Sequence, residues 1–170
     1  RDSSDLQRWV DQYELTNETM VITEKLDGMS VQLQMSEYNQ VIQALTRGDG
    51  VMGQNITQHI KSVPLPSKTV NATEPLFIRA ELIVKQSNSD SFNESVTRWR
   101  GSPYKNLRNG IAGCMGKEDV IPQDVLQWVD VVAYEIMNSG LNKDQQLQTL
   151  QQLGFKTPKY QLTSNILNEN

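Results

Sequence analysis

Between residues 30 and 35 apolar and polar side chains alternate one for one: Val31, Leu33 and Met35 against Ser30, Gln32 and Gln34. A period of two belongs to a strand with one face in a core and one face out of it, and it forbids a helix there. The same pattern recurs over Phe77–Val84, where Ile78, Ala80, Leu82 and Val84 share one face and Arg79 and Glu81 the other. Val41–Leu45 follows a turn at Glu37, Tyr38 and Asn39, so the first two strands predict a hairpin. The stretch 128–137, apolar around Val129–Ala133, predicts a buried strand. Helices are predicted over 5–13, where Leu6, Trp9 and Val10 share a face, over 55–63 ahead of Pro64 and Pro66, and over 89–99 behind a cap at Ser89 or Asp90. A polar loop is predicted over 98–105, a small-residue helix over 106–115, and a helix over 141–153 stopped by Gly154. Strands and helices interleave without a strict strand–helix–strand rhythm, which predicts an α+β fold and not a doubly wound sheet.

Composition removes several function classes. The single cysteine, Cys114, and the single histidine, His59, supply neither an internal disulfide nor a Cys/His zinc site. Cys114 reads as a small buried residue in a Gly- and Ala-rich helix, His59 as a helix-surface or packing residue, and a reducing, cytoplasmic location is expected. Sixteen Lys and Arg against twenty Asp and Glu give a net charge of −4, which argues against a wholesale basic coat and leaves room for a local basic patch. No apolar run approaches the ~20 residues of a membrane-spanning helix, so no membrane partner is expected. At 170 residues the chain fits one domain.

Five constellations carry chemistry. In Glu24-Lys25-Leu26-Asp27-Gly28 an apolar run delivers a lysine, a carboxylate and a glycine to a turn. A lysine that is partly deprotonated and held in place is a nucleophile, and glycine lets a phosphate or sugar approach the backbone. The same residues also fit a surface turn with an exposed lysine. Thr46-Arg47-Gly48-Asp49-Gly50, followed by Gly53 and Thr57, holds more glycine than a hairpin needs. Arg47 offers a planar fork to a base or phosphate; a glycine-rich loop with solvated charges is the plainer reading. Arg79 and Glu81 read either as an exposed ion pair or as a site where Glu81 accepts from a ribose hydroxyl. Arg98, Arg100, Lys105, Arg108 and Lys117, with Asn106 and Asn109 between them, meet no acidic residue before Glu118. Such a stretch neutralises phosphates or is simply solvated. Tyr134, in an apolar strand, is a core residue or a stacking surface for a base.

Taken in order, these strings resemble the adenylation (nucleotidyltransferase) domain of NAD-dependent DNA ligases, from about Val21 to about Thr163. Lys25-Leu26-Asp27-Gly28 is similar to the family's adenylated-lysine motif. Thr46 to Gly50, with Gly53 and Ile56-Thr57, is similar to its Thr-Arg-Gly-Asp-Gly signature, the most specific of the strings. Arg79-Ala80-Glu81 stands where the family has Arg-Gly-Glu, and Leu107 to Gly113 where it has Pro-Arg-Asn-Ala-Ala-Ala-Gly. The resemblance implies a nucleotidyltransferase fold with antiparallel sheets and a nucleotide cleft, NAD and Mg²⁺ as cofactors, and nicked DNA as partner. It implies that Lys25 forms lysyl-AMP and that Asp27 helps hold and polarise the site. Glu24, Arg47, Glu81 and Tyr134 would contact the nucleotide, with Tyr134 on adenine and Glu81 on ribose. Arg108, Asn109 and Lys105 would face DNA. No protein-borne metal site is expected.

Thr23, Gln54 and Gly116 depart from the family's usual residues. The chain begins at Arg1 and ends at Asn170 without the later lysine motifs. The expectation is therefore a single partial adenylation domain over 1–170, lacking the C-terminal lysine motifs and the N-terminal nicotinamide-binding module, with a second chain supplying the remaining motifs if the enzyme is split. The alternative is a non-catalytic descendant that binds a nucleotide or a partner. An RNA ligase is a third reading, opposed by the Thr-Arg-Gly-Asp-Gly string.

Overall fold

The computed structural model describes residues 3–16, 18–38, 40–48, 52–66 and 75–164. In chain order the elements are α1 (Ser3–Gln12), β1 (Met20–Thr23), β2 (Met29–Met35), β3 (Val41–Thr46), α2 (Thr57–Ile60), β4 (Leu76–Ile83), α3 (Ser89–Arg100), α4 (Leu107–Met115), α5 (Gln123–Leu126), β5 (Asp130–Ile136), α6 (Lys143–Gln152) and β6 (Tyr160–Thr163). They divide into two compact units, residues 1–25 with 159–170, and residues 26–158.

In the first unit β1 pairs antiparallel with β6, Met20 opposite Thr163 and Thr23 opposite Tyr160. Glu24 extends the pairing: its N–H donates to the Lys159 carbonyl at 3.0 Å, and its Oε1 accepts from the Lys159 N–H at 2.9 Å. The ring of Trp9 on α1 lies 6.1 Å from that of Tyr13, just past the helix end.

The second unit is built on a four-stranded antiparallel sheet in the order β3-β2-β4-β5. Leu33 lies opposite Ala44 on one side and Ile78 on the other, and Ala80 opposite Val31 and Ala133, so one face is apolar throughout. That face shares a core with Phe92 and Val96 of α3, Ile111 and Met115 of α4, and Val125 and Leu126 of α5. The expected α+β class with antiparallel strands and the 30–45 hairpin are both present.

β5 breaks its own alternation. Arg79 pairs with Glu135 and Ala80 with Ala133, leaving Tyr134 as the extra residue of a β-bulge. A bulge bends the strand and re-aims a side chain. Here it keeps both Tyr134 and Glu135 out of the core and returns Ile136 to it.

Several expected boundaries are corrected. The helix read over 55–63 is the single turn α2, ahead of a turn at Lys61 and Ser62. Residues 98–100 belong to α3 and not to a loop, and Asn88, at the end of a short 3₁₀ turn, stands at the N-cap where Ser89 or Asp90 was expected. Asn106 caps α4, accepting from Asn109 N–H at 3.1 Å. Asn142 and Gln145 form a reciprocal capping box on α6. The end of α6 is as read: Gly154 is left-handed, its N–H reaches the Gln151 carbonyl and the Phe155 N–H reaches Leu150 at 3.0 Å. α5 and β6, at four residues each, are too short to show a period in the sequence. Asn39 lies outside the described residues.

Cys114 is buried, 2% exposed, and burial pushes its thiol from 9.0 up to about 11, against the opposing pull of Arg100 and Lys117. Thiol reagents at pH 8 should label the native chain far more slowly than the chain in urea, since only the thiolate reacts. The same shift predicts that stability declines as pH climbs from 9.0 to about 11. There the unfolded chain has released the proton that the native one retains. Equal labelling rates in the two states would contradict this placement.

Candidate active site

The open face of the four-stranded sheet gathers the polar positions of the alternating strands. β2 contributes Ser30 and Gln32, β4 contributes Arg79 and Glu81, and β5 contributes Tyr134 and Glu135. A cavity of about 560 Å³ opens on this face, lined among others by Ser30, Gln32, Leu45, Arg47, Arg79 and Tyr134.

Of the glycine-rich string that begins at the end of β3, Thr46, Arg47 and Gly53 line that cavity. Thr46 N–H donates to the Gln54 carbonyl and Gln54 N–H to Thr46 Oγ1, both at 2.9 Å, so the loop returns to the strand it left. The return leaves no room for side chains: a Cβ on Gly53 would stand 2.1 Å from the Thr46 carbonyl oxygen, and Gly48 is left-handed at φ +57°. Asp49 and Gly50 of the string lie outside the described residues. Thr57 ties α2 to β3, accepting from Ala44 N–H at 2.9 Å and donating to Asn55 Oδ1 at 2.6 Å. These residues therefore have a backbone role that holds Arg47 at the cavity.

Arg79 does not pair with Glu81. Its Nη1 bonds Glu135 Oε2 at 3.1 Å across β4 and β5, a half-exposed pair of small energetic weight. Glu81, half-buried, accepts from Ser30 Oγ at 2.8 Å, and Ser30 Oγ lies 3.4 Å from the Tyr134 hydroxyl. Lys143, the first residue of α6, donates to the Tyr134 carbonyl at 2.5 Å, and its ammonium lies 5.5 Å from the centre of the Tyr134 ring. Burial holds the Lys143 amine below the ordinary lysine range; Glu135 opposes that shift and Arg79 adds to it.

Lys25, exposed, ends the first unit, and Glu24 beside it binds the Lys159 backbone. In the second unit Asp27 faces Arg108 at 3.8 Å, both side chains largely exposed. Lys105 and Asn109 are exposed at the start of α4, Asn109 through its N–H serving the cap. In the basic stretch Arg98 pairs with Asp124 at 3.1 Å and Arg100 lies 4.6 Å over the Tyr104 ring. His59, half-buried, sets its Nε2 2.8 Å from the Lys117 carbonyl, so that nitrogen carries the proton. Arg47 and Tyr134 line the cavity and Glu81 lies on the same sheet face opposite Ser30, while Ser30 and Lys143 stand outside the site residues expected from the sequence. Ser30 was legible only as a polar position on a strand, and Lys143 only as a charge at a helix start.

Two guanidiniums, a tyrosine ring and a carboxylate held by a hydroxyl have the chemistry of a nucleotide-binding face: cations for phosphates, a ring for a base, an acceptor for ribose hydroxyls. The chain belongs to the NAD-dependent DNA ligase adenylation domain family, whose model matches residues 2–169. The DNA ligase of Wolinella succinogenes is 29% identical over 69% of this chain and 18% of that protein. The DNA ligase of Campylobacter curvus is 34% identical over 68% of this chain and 17% of that protein. The chain thus spans less than a fifth of the length of these two relatives. The solved ATP-dependent DNA ligase from bacteriophage T7, in complex with ATP, aligns with a TM-score of 0.46 and 10% identity, over 94% of this chain and 54% of that one. Among the described residues no helix is long and apolar enough to cross a membrane.

Proposed function

We propose that this chain carries the adenylation step of an NAD-dependent DNA ligase. Lys25 Nζ, having lost a proton, attacks the phosphorus of NAD that bears adenosine. A nitrogen–phosphorus bond forms, the pyrophosphate bridge breaks, and nicotinamide mononucleotide leaves with the electron pair. The lysyl-AMP then gives AMP to the 5′-phosphate of a DNA nick, and the 3′-hydroxyl displaces it as the strand closes. The observation that carries this reading is a cavity lined by Arg47, Arg79 and Tyr134 in a chain of this family.

In this scheme Tyr134 stacks on adenine, Glu81 accepts from the ribose, and Arg47 takes a phosphate. A planar, permanently charged fork suits a phosphorus centre gathering negative charge. Asp27 helps hold and polarise the lysine's surroundings, and Glu24 steadies the approach to Lys25 through the Lys159 backbone. Arg108, Asn109 and Lys105, exposed around the start of α4, face the phosphates of nicked DNA. Mg²⁺ would supply charge neutralisation. Such an ion travels on substrate phosphates, keeps most of its waters and touches one or two carboxylates. The domain acts with the remaining ligase motifs, on this polypeptide or on a second chain, in the cytoplasm.

Intact-mass spectrometry after incubation with NAD and Mg²⁺ tests the scheme. The expected result is a gain of one AMP with NAD and none with ATP. A folded chain that gains no AMP, alone or with ligase fragments bearing the later lysine motifs, overturns the enzymatic reading in favour of a nucleotide-binding descendant.

A further inference from the structure

We infer that Ser30 is a positioning residue that couples the ribose-binding carboxylate to the base-stacking ring, and so sets how strongly the site discriminates a ribonucleotide from its deoxy counterpart. The inference rests on the roles proposed for Glu81 and Tyr134 and extends them to a residue outside every motif above.

Ser30 sits on β2 directly opposite Glu81 on β4, close enough for side chains to meet. Tyr134 is one strand further on, and the β5 bulge frees its side chain to reach back over β4. A serine hydroxyl has one hydrogen. Ser30 gives it to Glu81 Oε2 at 2.8 Å, so across the 3.4 Å to Tyr134 only the tyrosine can donate. The result is a directed chain, tyrosine hydroxyl to serine to carboxylate, running across three strands.

Two consequences follow from that direction. The carboxylate is fixed through one oxygen, and among the described residues Glu81 Oε1 makes no hydrogen bond, so it remains to accept from a ribose hydroxyl. The tyrosine hydroxyl is held by Ser30 and the backbone carbonyl by Lys143, whose ammonium lies 5.5 Å from the ring centre, so both ends of the residue are anchored before any base arrives. Pre-ordered groups lose less freedom on binding, which is where their contribution to affinity lies. A bond to a charged group is also stronger than one between neutral groups. Without Ser30 the carboxylate can turn toward solvent, and the hydroxyls of the ribose lose their fixed acceptor.

The test compares binding of AMP and of 2′,3′-dideoxy-AMP to the full 170-residue chain by titration calorimetry, in wild type, Ser30→Ala and Ser30→Thr. Wild type should prefer AMP by roughly tenfold, the scale of one charge-assisted bond. Ser30→Ala should lose about tenfold in AMP affinity and bring the ratio of the two ligands near one. Ser30→Thr, which keeps the hydroxyl on a strand position that tolerates β-branching, should restore both. A general structural role would lower both affinities together and leave their ratio alone, so a ratio unchanged in Ser30→Ala overturns the inference while the ribose role of Glu81 stands. A wild type that binds both ligands equally, or neither, removes the ribose role itself and the inference with it. If Ser30→Ala does not fold, Tyr134→Phe carries the test: it removes the donor at the start of the chain, and an AMP affinity equal to wild type overturns the coupling.

Discussion

Lys25→Ala incubated with NAD and Mg²⁺ should gain no AMP at all. The adduct is a bond to that amine, so removing the amine removes the product and does not merely slow it. Lys25→Arg should fail as completely, because a guanidinium stays protonated at any pH at which the protein is folded and has no lone pair to offer. Neither change should cost stability: Lys25 is exposed, and exposed substitutions commonly move the unfolding free energy by less than ~0.5 kcal/mol. Equal thermal midpoints with the adduct present only in wild type would assign the chemistry to Lys25. An AMP adduct on either variant places the nucleophile on another residue.

Gly28→Ala should lower the thermal midpoint by roughly 6–12 °C. Gly28 closes the Lys25-Leu26-Asp27-Gly28 string, where a glycine invites a ligand-approach reading. Its surroundings give a different reason: a Cβ built there stands 2.1 Å from the Leu82 carbonyl oxygen, 2.7 Å from Ile83 Cγ2 and 3.0 Å from Glu81 Cγ. The first contact is backbone on the central strand β4 and cannot rotate away, so β2 must lift from β4 at its first residue. Overpacking a tight site commonly costs about 1–3 kcal/mol, and a backbone clash of this depth belongs at the upper end. At this chain length each kcal/mol moves the midpoint by about 2–4 °C. Because Glu81 is among the displaced neighbours, AMP binding should weaken with stability. A Gly28→Ala midpoint within ~2 °C of wild type would mean that the strands do not approach as closely as described.

These two residues show how unevenly the sequence speaks. The chemistry proposed for Lys25 rests on its side chain and the string around it, without coordinates. The need for glycine at 28 depends on Leu82, over fifty residues away, and no local pattern reports it. Arg79 and Glu81 could be placed on one face of a strand by alternation alone, yet their partners could not: Glu135 and Ser30 come from neighbouring strands whose register the sequence leaves open. Tyr134 is the sharpest case. Strict alternation puts Tyr134 and Glu135 on opposite faces, and only the bulge opposite Arg79 and Ala80 keeps both from the core.

What the sequence determined by itself is the kind of the longer elements and the inventory of reactive groups: period-two strands, capped helices, a lysine three residues before a glycine, two arginines and a tyrosine. These follow from side-chain chemistry and from backbone preferences that act within a few residues. What only the tertiary structure decided is which of those groups meet. Strand order, register and one inserted residue in β5 set Ser30 between Glu81 and Tyr134, and they are settled by burying the apolar faces of four distant segments together, an energy shared across the whole core and written in no single stretch of it.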